Sequence, residues 1–321
     1  MKAVFLDFDT MGAGLDLEPL RKVTPDLEVF DFTGNEQIEA RIRDAEIVFT
    51  NKIRLSDELL AAAKKLRFIG LTATGTDNID IETARKNGIA VANIRGYCTG
   101  SVVEHVFGVL LMLTHSLAGF RDSVRAGDWQ KSGDPFLLNH PVRELSAMTM
   151  GIVGFGALGQ GVARIGTAFG MSIIISARPD GSNVGDNGGD TRVAFDDVLE
   201  QADVISLHCP LNDETRKLFG ARQFRRMKKS AILINTARGG LVDSAALADA
   251  LRSGEIAAAA VDVLPQEPPS DGDPLLDYEG ENLIVTPHIA WATNEARQNA
   301  INELAANAKA FLAGEERNRV V

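Results

Sequence analysis

The chain has 321 residues, 45% hydrophobic and 24% charged, enough for a large core and for two domains of the usual ~100–200 residues. A net charge of −11 and a pI near 5.0 exclude broad electrostatic binding to nucleic acid or to an anionic membrane surface, so the expected partner is a small molecule. Cys98 and Cys209 make no disulfide framework and lack ligand-like spacing, and the longest apolar run, "VFGVLLML", is too short for a bilayer of ~30 Å; a cytoplasmic protein without signal peptide, anchor or metal is expected.

From the N-terminus, apolar runs at 2–8, 27–32, 46–51, 67–73 and 89–93 alternate with segments of helical spacing such as 35–45 and 56–66. This alternation predicts βα units around a buried parallel sheet. Residues 99–120 predict one long apolar helix capped by Thr99 or Ser101. A second series of strands at 149–155, 172–177, 203–208, 231–236, 257–263 and 283–286 predicts a second parallel sheet, and 293–314 a long closing helix. The stretch "PDGSNVGDNGGD", 179–190, reads as an exposed loop. The predicted class is therefore α/β with two parallel-sheet domains.

Gly154, Gly156 and Gly159 form G-x-G-x-x-G between a predicted strand and a predicted helix. Gly154 permits the tight turn, Gly156 lets a pyrophosphate approach the backbone, and Gly159 lets helix and strand pack closely. The helix N-terminus supplies unpaired N–H groups and a positive dipole end. A dinucleotide site of this kind needs an acidic residue roughly 20 residues on for the adenosine ribose. Ser176, Ala177 and Arg178 stand there instead, with Ala177 at the carboxylate position. Lack of a carboxylate removes repulsion of a 2′-phosphate and Arg178 can pair with it, which favours NADP(H) over NAD(H). The alternatives are a solvated Arg178, or one stacked on adenine with both cofactors accepted, and Asp180 stands close enough in sequence to substitute.

Beyond three strands of the same series lie Arg238, then Asp262 with Glu267, then His288. Parallel strands direct their C-termini to one crevice, so these groups can converge. Reduction of a 2-oxo acid needs a cation for carboxylate and carbonyl oxygen, a proton donor, and a carboxylate to keep that donor protonated. Arg, His and Glu are those parts. Singly, each has an ordinary reading: Arg238 bracing a loop, His288 capping a helix or sitting in the core, Glu267 solvated in a turn, Asp262 capping a strand end. His105 and His115 read as packing or interface residues on the long apolar helix; His140 and His208 join no constellation.

In "GFGALG", "LHCPLNDETRKLFG", "LINTARGGLVD", "VDVLPQEPP" and "TPHIAWAT", in this order, the chain closely resembles the D-isomer-specific 2-hydroxyacid dehydrogenases over almost its whole length. The stretches "TNKIRL" and "TATGTDNID" resemble the branch of glycerate dehydrogenases acting as hydroxypyruvate reductases. The resemblance implies a flavodoxin-like substrate domain from 1–98 and 289–321, a Rossmann domain from 99–288, and a homodimer. It implies that Arg238 binds substrate, Glu267 pairs with His288, and His288 is the acid in reduction and the base in oxidation. Thr74, Gly75 and Thr76 would hold the substrate carboxylate through backbone N–H groups, and Lys52 either reaches the substrate or is a solvated loop lysine. Asp262 would hold the nicotinamide amide, while Phe155, Ala157, Leu158, Cys209, Pro210, Thr215, Thr236, Ala237 and Ala290 would line the cofactor. The implied activity is NAD(P)H-dependent reduction of hydroxypyruvate or glyoxylate to D-glycerate or glycolate. The other readings are a broader 2-oxo acid reductase, a phosphoglycerate dehydrogenase, which a chain ending at "NRVV" without a further domain disfavours, and a dinucleotide-sensing corepressor-like protein, for which no basic run speaks.

Overall fold

The computed structural model describes residues 1–187 and 189–321. The chain forms two compact units, one of Met1–Cys98 with Ala292–Val321 and one of Thr99–Trp291.

The first unit is built from β1 (Lys2–Phe5), α1 (Glu18–Val23), β2 (Asp26–Val29), α2 (Asn35–Ile42), β3 (Ile47–Thr50), α3 (Asp57–Ala62), β4 (Phe68–Leu71), α4 (Ile81–Lys86) and β5 (Ala90–Ala92). The strands pair in parallel in the order β2-β1-β3-β4-β5. β3 and β4 are buried throughout, as their unbroken apolar sequences require in a sheet covered on both faces. The chain starts at β1, builds one way to β2 and the other way from β3, so β1 and β3 flank the topological switch point, where ligands of such sheets bind. One face is closed by helix Asn294–Leu312, whose N-cap Thr293 accepts from Ala296 N–H. Gly70 permits that approach, since a side chain there would meet Leu304 and the Phe49 ring.

The second unit contains α5 (Thr99–Thr114), α6 (Leu117–Arg125), α7 (Asp128–Ser132), β6 (Thr149–Val153), α8 (Ala157–Ala168), β7 (Ser172–Ser176), β8 (Gly185–Asn187), β9 (Asp190–Val193), α9 (Phe195–Gln201), β10 (Val204–Leu207), α10 (Ala221–Arg226), β11 (Ile232–Asn235), α11 (Ser244–Ser253), β12 (Ala258–Val261) and β13 (Leu283–Val285). Its sheet runs β13-β12-β11-β10-β6-β7-β9-β8, with the switch point between β6 and β10. Val103, Val106 and Leu110 of α5 and Val162 of α8 pack on one face with Met150, Ile152 and Ile234; Val198, Phe224, Leu247 and Leu251 cover the other with Ile205 and Leu233. This is a doubly wound sheet.

Three expectations are corrected. The sheet is not wholly parallel: β8, inside the stretch 179–190 read as loop, pairs antiparallel with β9, Asp186 opposite Thr191; Gly188 of that stretch lies outside the described residues. The Asn, Asp and Gly composition that marks a loop is also that of a tight hairpin. The helix over 99–120 is two, bent by 54°, because Ser116 takes a left-handed φ of 48° and donates its hydroxyl to Pro141 O at 2.7 Å. Ser101 does not cap α5; it lies within the helix and donates to Ala290 O at 2.6 Å. Among the described residues no single helix is long and apolar enough to cross a membrane.

Candidate active site

Gly154, with φ of +96°, sits so close to the chain after β10 that a Cβ would collide with the His208 carbonyl carbon and the Cys209 backbone nitrogen. A Cβ at Gly159 would strike Gly154 O, so α8 presses onto the turn, whereas one at Gly156 would meet nothing within 4 Å. Close contact at the first and third glycine and open space at the second is the arrangement a pyrophosphate needs. No side chain caps the N-terminus of α8 and no acidic residue occupies its first turn, which leaves its N–H groups and dipole to an anion.

Beside this turn lies a cleft of about 480 Å³, lined among others by Phe155, Ser176, Ala177, Arg178, Asn183, Arg192, Cys209, Pro210 and Thr215. Ala177 is buried at the end of β7. Asp180 is held in its own turn, accepting Ser182 N–H at 2.9 Å, and these bonds lower its pKa; Asn183 Oδ1 accepts Arg178 N–H at 2.6 Å. Glu214 is the one carboxylate in the lining. Arg192, which carries no motif in the sequence, sets its guanidinium 5.8 Å from the Phe155 ring centroid, and its Nε is buried without a hydrogen-bond partner among the described residues. Thr236 Oγ1 and His208 Nδ1 are likewise buried and unpaired. Such orphaned polar atoms are uncommon in a finished interior, and together with the glycine geometry they fit a dinucleotide.

Acid–base groups gather at the ends of β11, β12 and β13. His288 Nδ1 lies 2.5 Å from Glu267 Oε2, with the side chains 30% and 34% exposed, and Glu267 Oε1 accepts Leu264 N–H at 2.9 Å. Arg238 follows β11; its Nη1 donates to Ala237 O at 2.8 Å and its carbonyl accepts from Asn235 Nδ2 at 2.9 Å. Gly239 joins the two loops, because a Cβ there would overlap the Leu264 carbonyl and Pro265 nitrogen. His288 has a left-handed φ of 56°, an uncommon conformation for a residue with a side chain, and donates its N–H to Asp262 O at 2.7 Å.

Asp262, expected at the nicotinamide, is 1% exposed. Its Oδ1 accepts Thr286 Oγ1–H at 2.5 Å and Ile289 N–H at 2.9 Å, and its Oδ2 accepts Ala290 N–H at 2.8 Å. In this structure the carboxylate braces the turn that carries His288. His105, read as packing, shares in this brace through a 3.2 Å contact between Nε2 and Thr286 Oγ1. Its helical spacing with apolar neighbours hid that contact.

In the first unit, Lys52 follows β3 and is exposed, and its N–H donates to Asp7 Oδ2 at 2.6 Å. Thr74 Oγ1 donates to Ile94 O at 3.0 Å, and among the described residues the N–H groups of Gly75 and Thr76 meet no acceptor.

The sequence profile described as "D-isomer specific 2-hydroxyacid dehydrogenase, NAD binding domain" matches residues 107–290. A glycerate dehydrogenase of Methylorubrum extorquens is 41% identical over 99% of this chain and 98% of its own. The chain belongs to the D-isomer-specific 2-hydroxyacid dehydrogenase family. A hydroxypyruvate reductase of Blautia hydrogenotrophica is 36% identical over 100% and 99% of the two chains. An acyclic imino acid reductase solved with NADPH and D-Arg is similar in structure, with a TM-score of 0.87 at 27% identity and full coverage of both chains.

In this dehydrogenase, burial pushes the Cys209 thiol up to about 11 and the His208 imidazole down to about 4. His208 Nε2 meets Ser206 Oγ at 2.9 Å, and although part of the residue reaches solvent, Nδ1 does not. A histidine lowered on folding stabilises the fold fully above its unfolded pKa of about 6.5, and that contribution is lost as pH falls toward about 4, because the unfolded chain takes the proton first. Urea unfolding at pH 7.5 and 4.5 is expected to show roughly 3 kcal/mol lost to this group; a His208→Asn variant with the same pH dependence as the parent would refute it.

Proposed function

We propose that this dehydrogenase reduces hydroxypyruvate and glyoxylate to D-glycerate and glycolate, reversibly, with NADPH preferred over NADH. The observation that carries the reading is the 2.5 Å pair of His288 and Glu267, on a loop packed against Gly239 beside Arg238. The relatives named glycerate dehydrogenase and hydroxypyruvate reductase support the substrate class.

A nicotinamide held here would supply the hydride that substrate C2 receives. His288, its Nδ1 engaged by Glu267, gives a proton from Nε2 to the carbonyl oxygen in reduction and takes it back in oxidation. Glu267 fixes the ring's orientation and balances the charge of its doubly protonated form, the role of the third member of a triad. Arg238 binds the carboxylate and polarises the carbonyl. Asp262 acts from behind by holding the 286–290 turn. Lys52 and the N–H groups of Thr74, Gly75 and Thr76 bind the substrate carboxylate, which makes the first unit the substrate domain. Gly154, Phe155, Gly156, Ala157, Leu158 and Gly159 hold the pyrophosphate, with Ser176, Ala177, Arg178, Cys209, Pro210, Thr215, Thr236, Ala237 and Ala290 along the rest of the dinucleotide.

The cofactor preference rests on Ala177, where no carboxylate repels a 2′-phosphate, and on Arg178, joined by Arg192 from the edge hairpin. The NADPH-bound imino acid reductase supports it. We further propose a homodimer, formed through the apolar side chains that α6 and residues 133–142 turn outward, among them Phe136 at 74% and Leu138 at 85% exposure.

Initial rates with hydroxypyruvate, glyoxylate, pyruvate and 3-phosphohydroxypyruvate, each with NADH and NADPH, are expected to be highest for the first two with NADPH. His288→Gln should lower kcat by about 10³-fold with NADPH affinity preserved; unchanged turnover would remove the assigned acid. Ala177→Asp should move the kcat/KM ratio toward NADH by about tenfold or more, and an unmoved ratio would displace the ribose site. Sedimentation should give twice the 34.5 kDa chain mass, and Leu138→Asp should give a monomer; a monomeric parent would end the dimer proposal.

A further inference from the structure

Asp7 stands two residues beyond β1, is 3% exposed, and has no cationic side chain paired with it among the described residues. A carboxylate stripped of water this completely is costly unless its oxygens are fully used. They are used by one loop. Asp7 Oδ1 accepts Asn51 N–H at 2.9 Å, and Oδ2 accepts Lys52 N–H at 2.6 Å, Ile53 N–H at 3.2 Å and the Thr50 hydroxyl at 3.2 Å. Three successive backbone N–H groups turned onto one anion make a concave nest. Lys52 is the middle of the three.

The same loop is gripped from its other side. Asn78 Nδ2 donates to Asn51 O at 3.4 Å and Ile53 O at 3.0 Å, and Leu55 N–H donates to Asn78 O at 2.9 Å. Asn78 ends the stretch that contains Thr74, Gly75 and Thr76, so Asp7 and Asn78 together fix the Lys52 loop against the Thr74–Thr76 loop. All of this sits at the β1/β3 switch point of the first unit's sheet.

We infer that Asp7 is a positioning residue for substrate recognition: its buried carboxylate holds the Asn51–Ile53 backbone so that Lys52 meets the carboxylate of the 2-oxo acid. The inference rests on the reading of Lys52 as a substrate-binding residue. An ammonium on a flexible stem discriminates substrates only if its backbone origin is fixed, and the charge-assisted bonds to Asp7 fix it.

The test measures kcat and KM for hydroxypyruvate at saturating NADPH, together with NADPH affinity, for the full-length Asp7→Asn, Lys52→Met and double variants. Asp7→Asn is expected to raise KM by about tenfold with kcat held within about threefold and NADPH affinity unchanged. The double variant should be no worse than Lys52→Met alone, as for two residues acting through one contact. A KM unmoved by Asp7→Asn while Lys52→Met raises it, or two effects that multiply, would overturn the inference. A KM unmoved by Lys52→Met would overturn the Lys52 reading and the inference with it. If Asp7→Asn does not fold, Asn78→Ala loosens the same loop without touching the carboxylate, and an unmoved KM there is equally decisive against it.

Discussion

One buried carboxylate organises the second unit's chemistry. Asp262 closes β12 and takes hydrogen bonds from Thr286, Ile289 and Ala290, all beyond β13. Those bonds stabilise a turn in which His288 must adopt a left-handed backbone, and the same turn aims its ring at Glu267. Without the brace, the strained residue would relax to an ordinary conformation and the His288–Glu267 pair would separate. The pair is therefore only as well placed as a carboxylate that itself never reaches solvent.

Backbone proximity is the second constraint. Gly154 lies against the chain after β10 and Gly239 against the loop after β12, each with no room for a methyl group. Both contacts join the ends of different parallel strands, just beyond the last ladder bonds, His208 N–H to Val153 O and Asp262 N–H to Asn235 O. The glycines thus register one strand-end loop against the next, and the dinucleotide turn and the acid–base loops inherit their spacing from them. In the first unit the equivalent task falls to side chains, Asp7 and Asn78, which bond to backbone groups of the loop between them.

Much of this was legible in the sequence because it is local. Apolar runs of strand length alternating with helical spacing give two sheets, and Gly154, Gly156 and Gly159 between strand and helix mark the tight turn into α8. Arg238, Glu267 and His288 stand just past predicted strands, and parallel topology brings strand ends together. What escaped depends on contacts between residues far apart in the chain or on backbone conformations that composition does not reveal. β8 shares its Gly, Asn and Asp with loops, and Arg192, just beyond that stretch, carries no motif. Ser116 breaks a helix whose apolar pattern continues through the break. That Asp262 also takes three donors from 286–290 has no sign in the sequence around it. Asp7 in "LDFD" carries no motif at all, because its meaning lies 43 to 46 residues away.

Cys209 lines the cleft beside Gly154, a place where a thiol would ordinarily be exposed to electrophiles and peroxides. Electrophiles and oxidants attack the thiolate, and burial pushes this thiol up to about 11, which disfavours that form at neutral pH. The side chain is thereby a chemically silent wall, and the cleft has a soft, polarisable lining without a reactive handle at its rim.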